Sequence, residues 1–454
     1  MRRFLFVFNQ THANFRFAEF QAVCDLFQIP VKEFSPNAHL HIFEFETEKE
    51  VQQILSRATL LRAAYELFFE ASDLNELEEK MRKNPEVFEP YNKETDTWKF
   101  RIRPQGKRPG SDRTIELRER FTPLLNNDRA PVDLVNPGVL EFTLIEDFIT
   151  ENVADRKVYF GLKIDDGQIF LKSKYNLKDR KYIGNSTMDP ELAFIQANLI
   201  QARANAIILD PFSGTGGLLI PAAHFGATVF GTEINYMVAR GEGKSARQGE
   251  KFLTKEQNVA SNFSQYNLQK YFADIVIGDA SLHGLWRENA RFDAIIADPP
   301  YGIREKGRKV GNKIRKEHWT LPSAEHDSHY PEKTTYSLNK VFMDLLNLSA
   351  ARLTVNGRVS FWFPVLKATY CEDVLPRHDA LEMLANCEQS LTNKGSRRLL
   401  LYKKLREPHD GEMAYVKSDC YENQSYRDGI FKAAASVKAA KTNEARGSQG
   451  DVIE

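Results

Sequence analysis

Two acid-led turns, each closing an apolar run, restrict the fold of this chain more than any other feature. The first is Asp210-Pro211-Phe212-Ser213-Gly214-Thr215-Gly216-Gly217, which follows the apolar stretch 206–209. The second is Asp298-Pro299-Pro300-Tyr301, which follows Phe292–Ala297. A short apolar run stopped at once by proline reads as a buried strand forced to leave its ladder, because proline has no N–H to donate. Around these turns, strand and helix patterns alternate. Asp189-Pro190 starts a helix with Leu192, Ile195 and Leu199 at helical spacing. Helical stretches at 218–224 and 338–353 then interleave with strands at 228–231, 275–277 and 358–363. The alternation predicts an α/β domain from about Met188 with a mainly parallel, doubly wound sheet. Ligands of such sheets lie beyond the carboxyl ends of the strands, where strand order reverses.

The N-terminal part has a different texture and predicts a smaller α+β region. Strands are expected at 4–8 and 41–45, helices at 18–27 and Glu48–Leu55, and a further helix at 60–69. Trp98-Lys99-Phe100-Arg101-Ile102-Arg103 alternates apolar with basic residues, the mark of a strand with one dry and one wet face. Lys99, Arg101 and Arg103 occupy the wet face, and Lys107 and Arg108 follow. Strands at 139–145 and 157–164 complete this part. Beyond about Glu407 periodicity is lost, and 438–454 reads as disordered. Lys plus Arg and Asp plus Glu number 62 each, so any affinity for nucleic acid must come from local patches. The four cysteines are far apart with no CxxC pair, which argues against a zinc site and a disulfide framework and fits a reducing, cytoplasmic compartment. No apolar run is long enough to cross a bilayer, and the basic-then-apolar start reads as a strand rather than a signal peptide.

The acids point to a ligand. Asp210, Glu233 and Asp279 follow three successive strands, and carboxylates buried without partners are costly. In the loop that carries Phe212, Gly214 and Gly216 let backbone approach a ligand closely. Glu233 suits the two ribose hydroxyls of an adenosine, and Asp279, in Gly278-Asp279-Ala280, suits an adenine amino group. A sulfonium with an ammonium arm supplies the missing cation, so the pattern fits S-adenosylmethionine. A dinucleotide would need a third glycine where Leu219 stands. A plain strand–turn–helix is the ligand-free alternative. Asp298-Pro299-Pro300-Tyr301 presents a carboxylate and the Pro299 carbonyl, two acceptors for the two hydrogens of an exocyclic NH2, with Tyr301 able to stack on a flat ring. Together the turns imply N-methylation. The proton acceptor, Asp298 or water, stays open. Arg304, Lys306, Arg308 and Lys309 follow, either as phosphate contacts or as a solvated loop. His318, His326 and His329 lack metal-ligand spacing, and no metal is expected.

With the run Lys181-Tyr182-Ile183-Gly184-Asn185-Ser186-Thr187-Met188-Asp189, the motif Asp298-Pro299-Pro300-Tyr301-Gly302-Ile303-Arg304-Glu305, and Ser396-Arg397-Arg398-Leu399, the chain resembles the catalytic subunit of the eukaryotic tRNA guanine-10 N2-methyltransferases. The resemblance covers about residues 1–405. It implies a Rossmann-like class I methyltransferase domain at 188–406, preceded by a ferredoxin-like region at 1–70, a THUMP domain at 71–170 and a linker at 171–187, with a tail at 407–454. It implies that Thr187 and Met188 help enclose the cofactor, that Asp210 and the Gly214/Gly216 loop hold its methionine part, Glu233 its ribose and Asp279-Ala280 its adenine. Asp298, Pro299, Pro300 and Tyr301 would hold a guanine of tRNA. It also implies a small zinc-binding activator subunit, paired with an edge strand at 274–278. Two alternatives remain at this stage: a DNA adenine amino-methyltransferase, and a non-catalytic RNA-binding scaffold on the same fold.

Overall fold

The computed structural model describes residues 1–417 apart from 33, 35–37, 108–109, 126–127, 137, 302–306 and 312–332. The chain divides into two compact units after Phe170.

The first unit is built on one six-stranded sheet. Its elements are β1 (Arg2–Phe8), α1 (Arg16–Phe27), β2 (Leu40–Phe45), α2 (Glu48–Leu55), β3 (Leu61–Ala71), α3 (Leu74–Lys83), β4 (Trp98–Ile102), α4 (Ser111–Phe121), β5 (Leu140–Glu146) and β6 (Val158–Asp166). Strand order is β2-β1-β3-β6-β5-β4, with β4 and β5 parallel and the other pairs antiparallel. Phe4, Phe6 and Phe8 pack with Phe20 of α1 and Val51 and Ile54 of α2, while Leu5 and Val7 meet Ala63, Tyr65 and Leu67 on the opposite face. α2 starts at a capping box in which Thr47 and Glu50 satisfy each other's free backbone N–H groups.

The stretch 60–69, expected as a helix, is the strand β3. It lies between β1 and β6 and is buried at most positions on both faces, so its apolar spacing has no clean period of two. The division expected at 70/71 falls at the end of β3, and the two expected N-terminal domains share this sheet.

The second unit contains α5 (Leu171–Lys174), α6 (Pro190–Leu199), β7 (Ile207–Asp210), α7 (Leu219–His224), β8 (Thr228–Glu233), α8 (Tyr236–Arg240), α9 (Val259–Gln265), β9 (Phe272–Ile277), β10 (Phe292–Ala297), β11 (Arg308–Val310), β12 (Lys333–Thr335), α10 (Leu338–Arg352), β13 (Leu353–Leu366), β14 (Leu381–Ser390) and β15 (Gly395–Lys404). The sheet order is β14-β15-β13-β10-β7-β8-β9. From β13 to β9 every pair is parallel, and β15 and β14 add an antiparallel edge. Strand order therefore reverses between β7 and β10, the two strands that end at the acid-led turns. The core on one side of the sheet joins Leu209, Ile295, Phe342, Leu346 and Phe361.

Residues 171–187, expected as a linker, pack on this second unit. Leu171, Tyr175, Arg180 and Tyr182 are buried. The Tyr182 N–H donates to Asn262 Oδ1 at 2.8 Å, and Asn262 Nδ2 donates back to the Tyr182 carbonyl at 2.7 Å. The reciprocal pair fixes the strap before it reaches the N-terminus of α6. There Asp189 caps the helix, its Oδ1 accepting the Glu191 N–H at 2.9 Å, with Pro190 in the first turn.

Candidate active site

The carboxyl ends of β7, β8, β9 and β10 open into one cleft of about 1260 Å³. Asp210 ends β7 and is 1% exposed, its Oδ1 accepting the Phe212 N–H at 2.9 Å. Burial raises its carboxyl well above the usual 3.8, the Phe212 N–H opposes the shift, and Asp298 and Glu233 add like charge. Gly214 has φ 52, a left-handed backbone suited to glycine, and no atom stands within 4 Å of where a Cβ would be. Its N–H donates to Glu233 Oε2 at 3.0 Å, tying the loop to the end of β8. Glu233 Oε1 accepts the Asn235 N–H at 2.7 Å, and the residue lines the cleft. Asp279 accepts the Ser281 N–H on Oδ1 at 2.9 Å and the Val310 N–H of β11 on Oδ2 at 2.6 Å. Ala280 lines the same wall.

Gly216 is not among the residues that line the cleft; its φ of 77 is a left-handed backbone that favours glycine, and a Cβ there would lie 2.9 Å from Val259 Cγ1 of α9. Phe212 faces the cleft and is half-buried, also packing against the sheet core. Thr187 Oγ1 accepts the Gly184 N–H at 2.7 Å and lies 3.0 Å from Thr215 Oγ1, which draws the strap onto the glycine loop. Met188 is buried beside it and lines the cleft.

Asp298, Pro299, Pro300 and Tyr301 also line this cleft. Arg397 of β15 lies here too, a residue for which no role was expected. Its Nη1 is 4.0 Å from Asp298 Oδ2 and donates to the Tyr301 hydroxyl at 3.3 Å. Strand β15 carries it in from the antiparallel edge, more than ninety residues along the chain from the turn it touches. Two adjacent arginines opening an apolar run, Arg397-Arg398 before Leu399, were the signal available in the sequence. Lys333 of β12 and Arg308 of β11 also line the wall; burial lowers the Lys333 ammonium below its usual value, Glu233 opposes this and Arg308 adds to it.

The other basic residues singled out from the sequence fall in separate places. In the first unit, Lys99 and Arg103 both pair with Glu141 of β5, at 3.5 and 3.3 Å. Lys107 lies over the Phe148 ring, 5.9 Å from its centroid. Arg101 is half-buried on β4, between these two basic neighbours. Lys309 sits on β11 opposite Thr334. Arg108, Arg304 and Lys306 lie outside the described residues, as do His318, His326, His329 and the tail at 438–454.

A parallel sheet whose strand-order reversal carries an acid–glycine loop on one side and an Asp-Pro-Pro-Tyr turn on the other defines a methyltransferase of the Rossmann-like class. Residues 2–168 match the family model described as Tmrp11 THUMP N-terminal domain, and residues 178–321 match RMKL-like, methyltransferase domain. The chain is 35% identical to the tRNA (guanine(10)-N(2))-methyltransferase TRMT11 of Bos taurus over 450 residues, covering 95% of each chain. Against the Homo sapiens protein of that name it is 35% identical over 452 residues, again covering 95% of each. The chain belongs to this TRMT11 family of tRNA (guanine(10)-N(2))-methyltransferases. Among solved structures, TrmN from Thermus thermophilus superposes with a TM-score of 0.44 at 15% identity, covering 89% of this chain and 100% of that one.

Proposed function

We propose that the cleft holds S-adenosylmethionine at the ends of β7, β8 and β9, and the target guanine of tRNA against residues 298–301, for methylation at the exocyclic N2. The observation that carries this is the convergence of Asp210, Glu233, Asp279 and Asp298 on one cleft at the strand-order reversal. The residues present fit the cofactor. The open space over Gly214 leaves backbone free to approach it, and Asp210, raised by burial and then by the like charge of Asp298 and Glu233, asks for a cationic guest. When bound, S-adenosylmethionine supplies an electrophilic methyl group.

Asp210 and the Gly214 loop hold the ammonium-bearing arm, Glu233 takes the ribose hydroxyls, and Asp279 with Ala280 borders the adenine. Thr187 and Met188 close the strap side. Asp298 and the Pro299 carbonyl accept the two hydrogens of the guanine amine, which orients the nitrogen lone pair. Asp298 then stabilises the positive charge growing on that nitrogen. Pro300 keeps the turn out of the sheet, and Tyr301 stacks on the base. Position 10 is the target that family membership suggests.

The basic side chains Lys99, Arg101, Arg103 and Lys107, with Arg108, bind tRNA phosphates from the first unit; Arg304, Lys306, Arg308 and Lys309 do so beside the catalytic turn. β9 is an edge strand with Val276 and Ile277 exposed, and an unprotected apolar edge favours a partner strand. We assign it to a small zinc-binding activator subunit. A cytoplasmic site of action fits a tRNA substrate and three free cysteines among the described residues. The test is labelled S-adenosylmethionine offered to unmodified tRNA and to DNA, with the modified nucleotide mapped by mass spectrometry. N2-methylguanosine in tRNA is expected; label in DNA adenine, or none, overturns the reading.

A further inference from the structure

We propose that Arg397 is a positioning residue that fixes the base-holding turn against the methyl-donor side of the cleft. The proposal rests on the assignment of residues 298–301 to the target guanine. Arg397 is nearly buried, its guanidinium 4.1 Å from the centroid of the buried Trp362 ring. Each of its nitrogens has a separate task. Nε donates to Gln389 Oε1 at 2.7 Å on the neighbouring strand β14. Nη1 donates to the Tyr301 hydroxyl and faces Asp298. Nη2 points to Met188 Sδ at 3.3 Å, at the end of the strap. A guanidinium is planar with its N–H groups in a fixed fork, so setting one of these contacts sets the others.

The platform under Arg397 reaches the same turn from behind. Trp362 Nε1 donates to Gln196 Oε1 at 3.0 Å. Gln196 Nε2 donates to the Ala297 carbonyl at 3.1 Å and to the Ser360 carbonyl at 3.0 Å. Ala297 directly precedes Asp298. The turn is thus pinned at its root by Gln196 and at its tip by Arg397. A structural ion pair would be a sufficient description if Arg397 met only Asp298. At 4.0 Å that contact is the loosest of the set, while the better-aimed ones go to the stacking ring and to the strap. The arrangement sets the angle of the ring and carboxylate relative to the donor pocket.

The test compares Arg397→Gln and Arg397→Lys with the full chain on a tRNA transcript. Turnover, tRNA KM, S-adenosylmethionine Kd by calorimetry and thermal midpoint are measured together. A misplacement of about 1 Å can cost ~100-fold, so Arg397→Gln is expected to lower kcat by about that factor. Its cofactor Kd stays close to wild type, and its midpoint, though lower, stays above the assay temperature. Arg397→Lys keeps the charge without the fork and recovers part of the loss. Wild-type kcat in either variant overturns the proposal, as does a loss that follows cofactor Kd or the thermal midpoint. If Arg397→Gln fails to fold, the lysine variant decides by the same criteria. Asp298→Ala is the control: normal turnover there removes the guanine assignment itself. A dead Asp298→Ala alongside normal Arg397 variants removes only the positioning role.

Discussion

The ionisation of Asp210 is opposed by its surroundings, and that opposition is testable. Its folded pKa lies above the usual 3.8 because burial disfavours the anion and Asp298 and Glu233 repel it. Well below pH 3.8 it is protonated in folded and unfolded chains alike, so no penalty exists there. As pH rises towards the folded value, the unfolded chain releases its proton first and stability falls; above that value the whole penalty is present. Asp210→Asn should therefore raise the thermal midpoint of ligand-free protein at pH 7, with the gain shrinking as pH falls to 3.5, while weakening cofactor binding. Scanning fluorimetry across pH with calorimetric titration reads both. Asp298→Ala should keep cofactor affinity and lose methylation by roughly 100- to 1000-fold, the scale of removing one electrostatic partner of a developing charge. Near-normal kcat in that variant contradicts the role assigned to Asp298. The residue types at these positions were visible in the sequence. Arg397 was not assigned, because its meaning depends on what β15 lies beside.

Elements hold these residues in register, and α6 does so through one buried amide. Gln196 spans β10 and β13 by donating to one carbonyl on each and accepting from Trp362. Gln196→Leu leaves three buried groups without that partner, at about 1–3 kcal/mol each. A fall in the urea midpoint with little change in m is expected, and a neutral result would mean water replaces the amide. The β9 edge carries a different prediction. Val276 is 37% exposed on a strand with no neighbour on its outer side among the described residues. Val276→Lys should abolish co-purification of the proposed activator subunit and leave the thermal midpoint of the isolated chain unchanged, because lysine guards an edge without touching the core. Elements with one wet face or a sharp end were legible: β4, β10 and the start of α6 fall close to where spacing and capping put them. β3 was misread, since a strand covered on both faces loses its alternation. α3 and α4, rich in charge, carried too few apolar positions to stand out.

At the scale of the whole molecule, a chain with no net charge must bind tRNA through local groups. Glu141 already partners Lys99 and Arg103, which leaves Arg101 the cation on β4 least committed to that acid. Arg101→Ala should weaken tRNA binding and reduce the slope of log K against log salt by about 1, as loss of one phosphate contact does. Filter binding at several salt concentrations measures it; an unchanged slope places Arg101 off the RNA. By itself, the sequence determined the alternation that yields a parallel sheet, the acids and glycines at its strand ends, and the Asp-Pro-Pro-Tyr turn. These are local consequences of backbone chemistry: proline cannot stay in a ladder, and glycine can enter the left-handed region. Tertiary structure alone decided that the strap at 171–187 packs on helices of the second unit, that Gly216 abuts Val259, and that Arg397 reaches the turn. Those depend on contacts between segments remote in the chain, where closing the fold, not neighbouring residues, sets what each side chain meets.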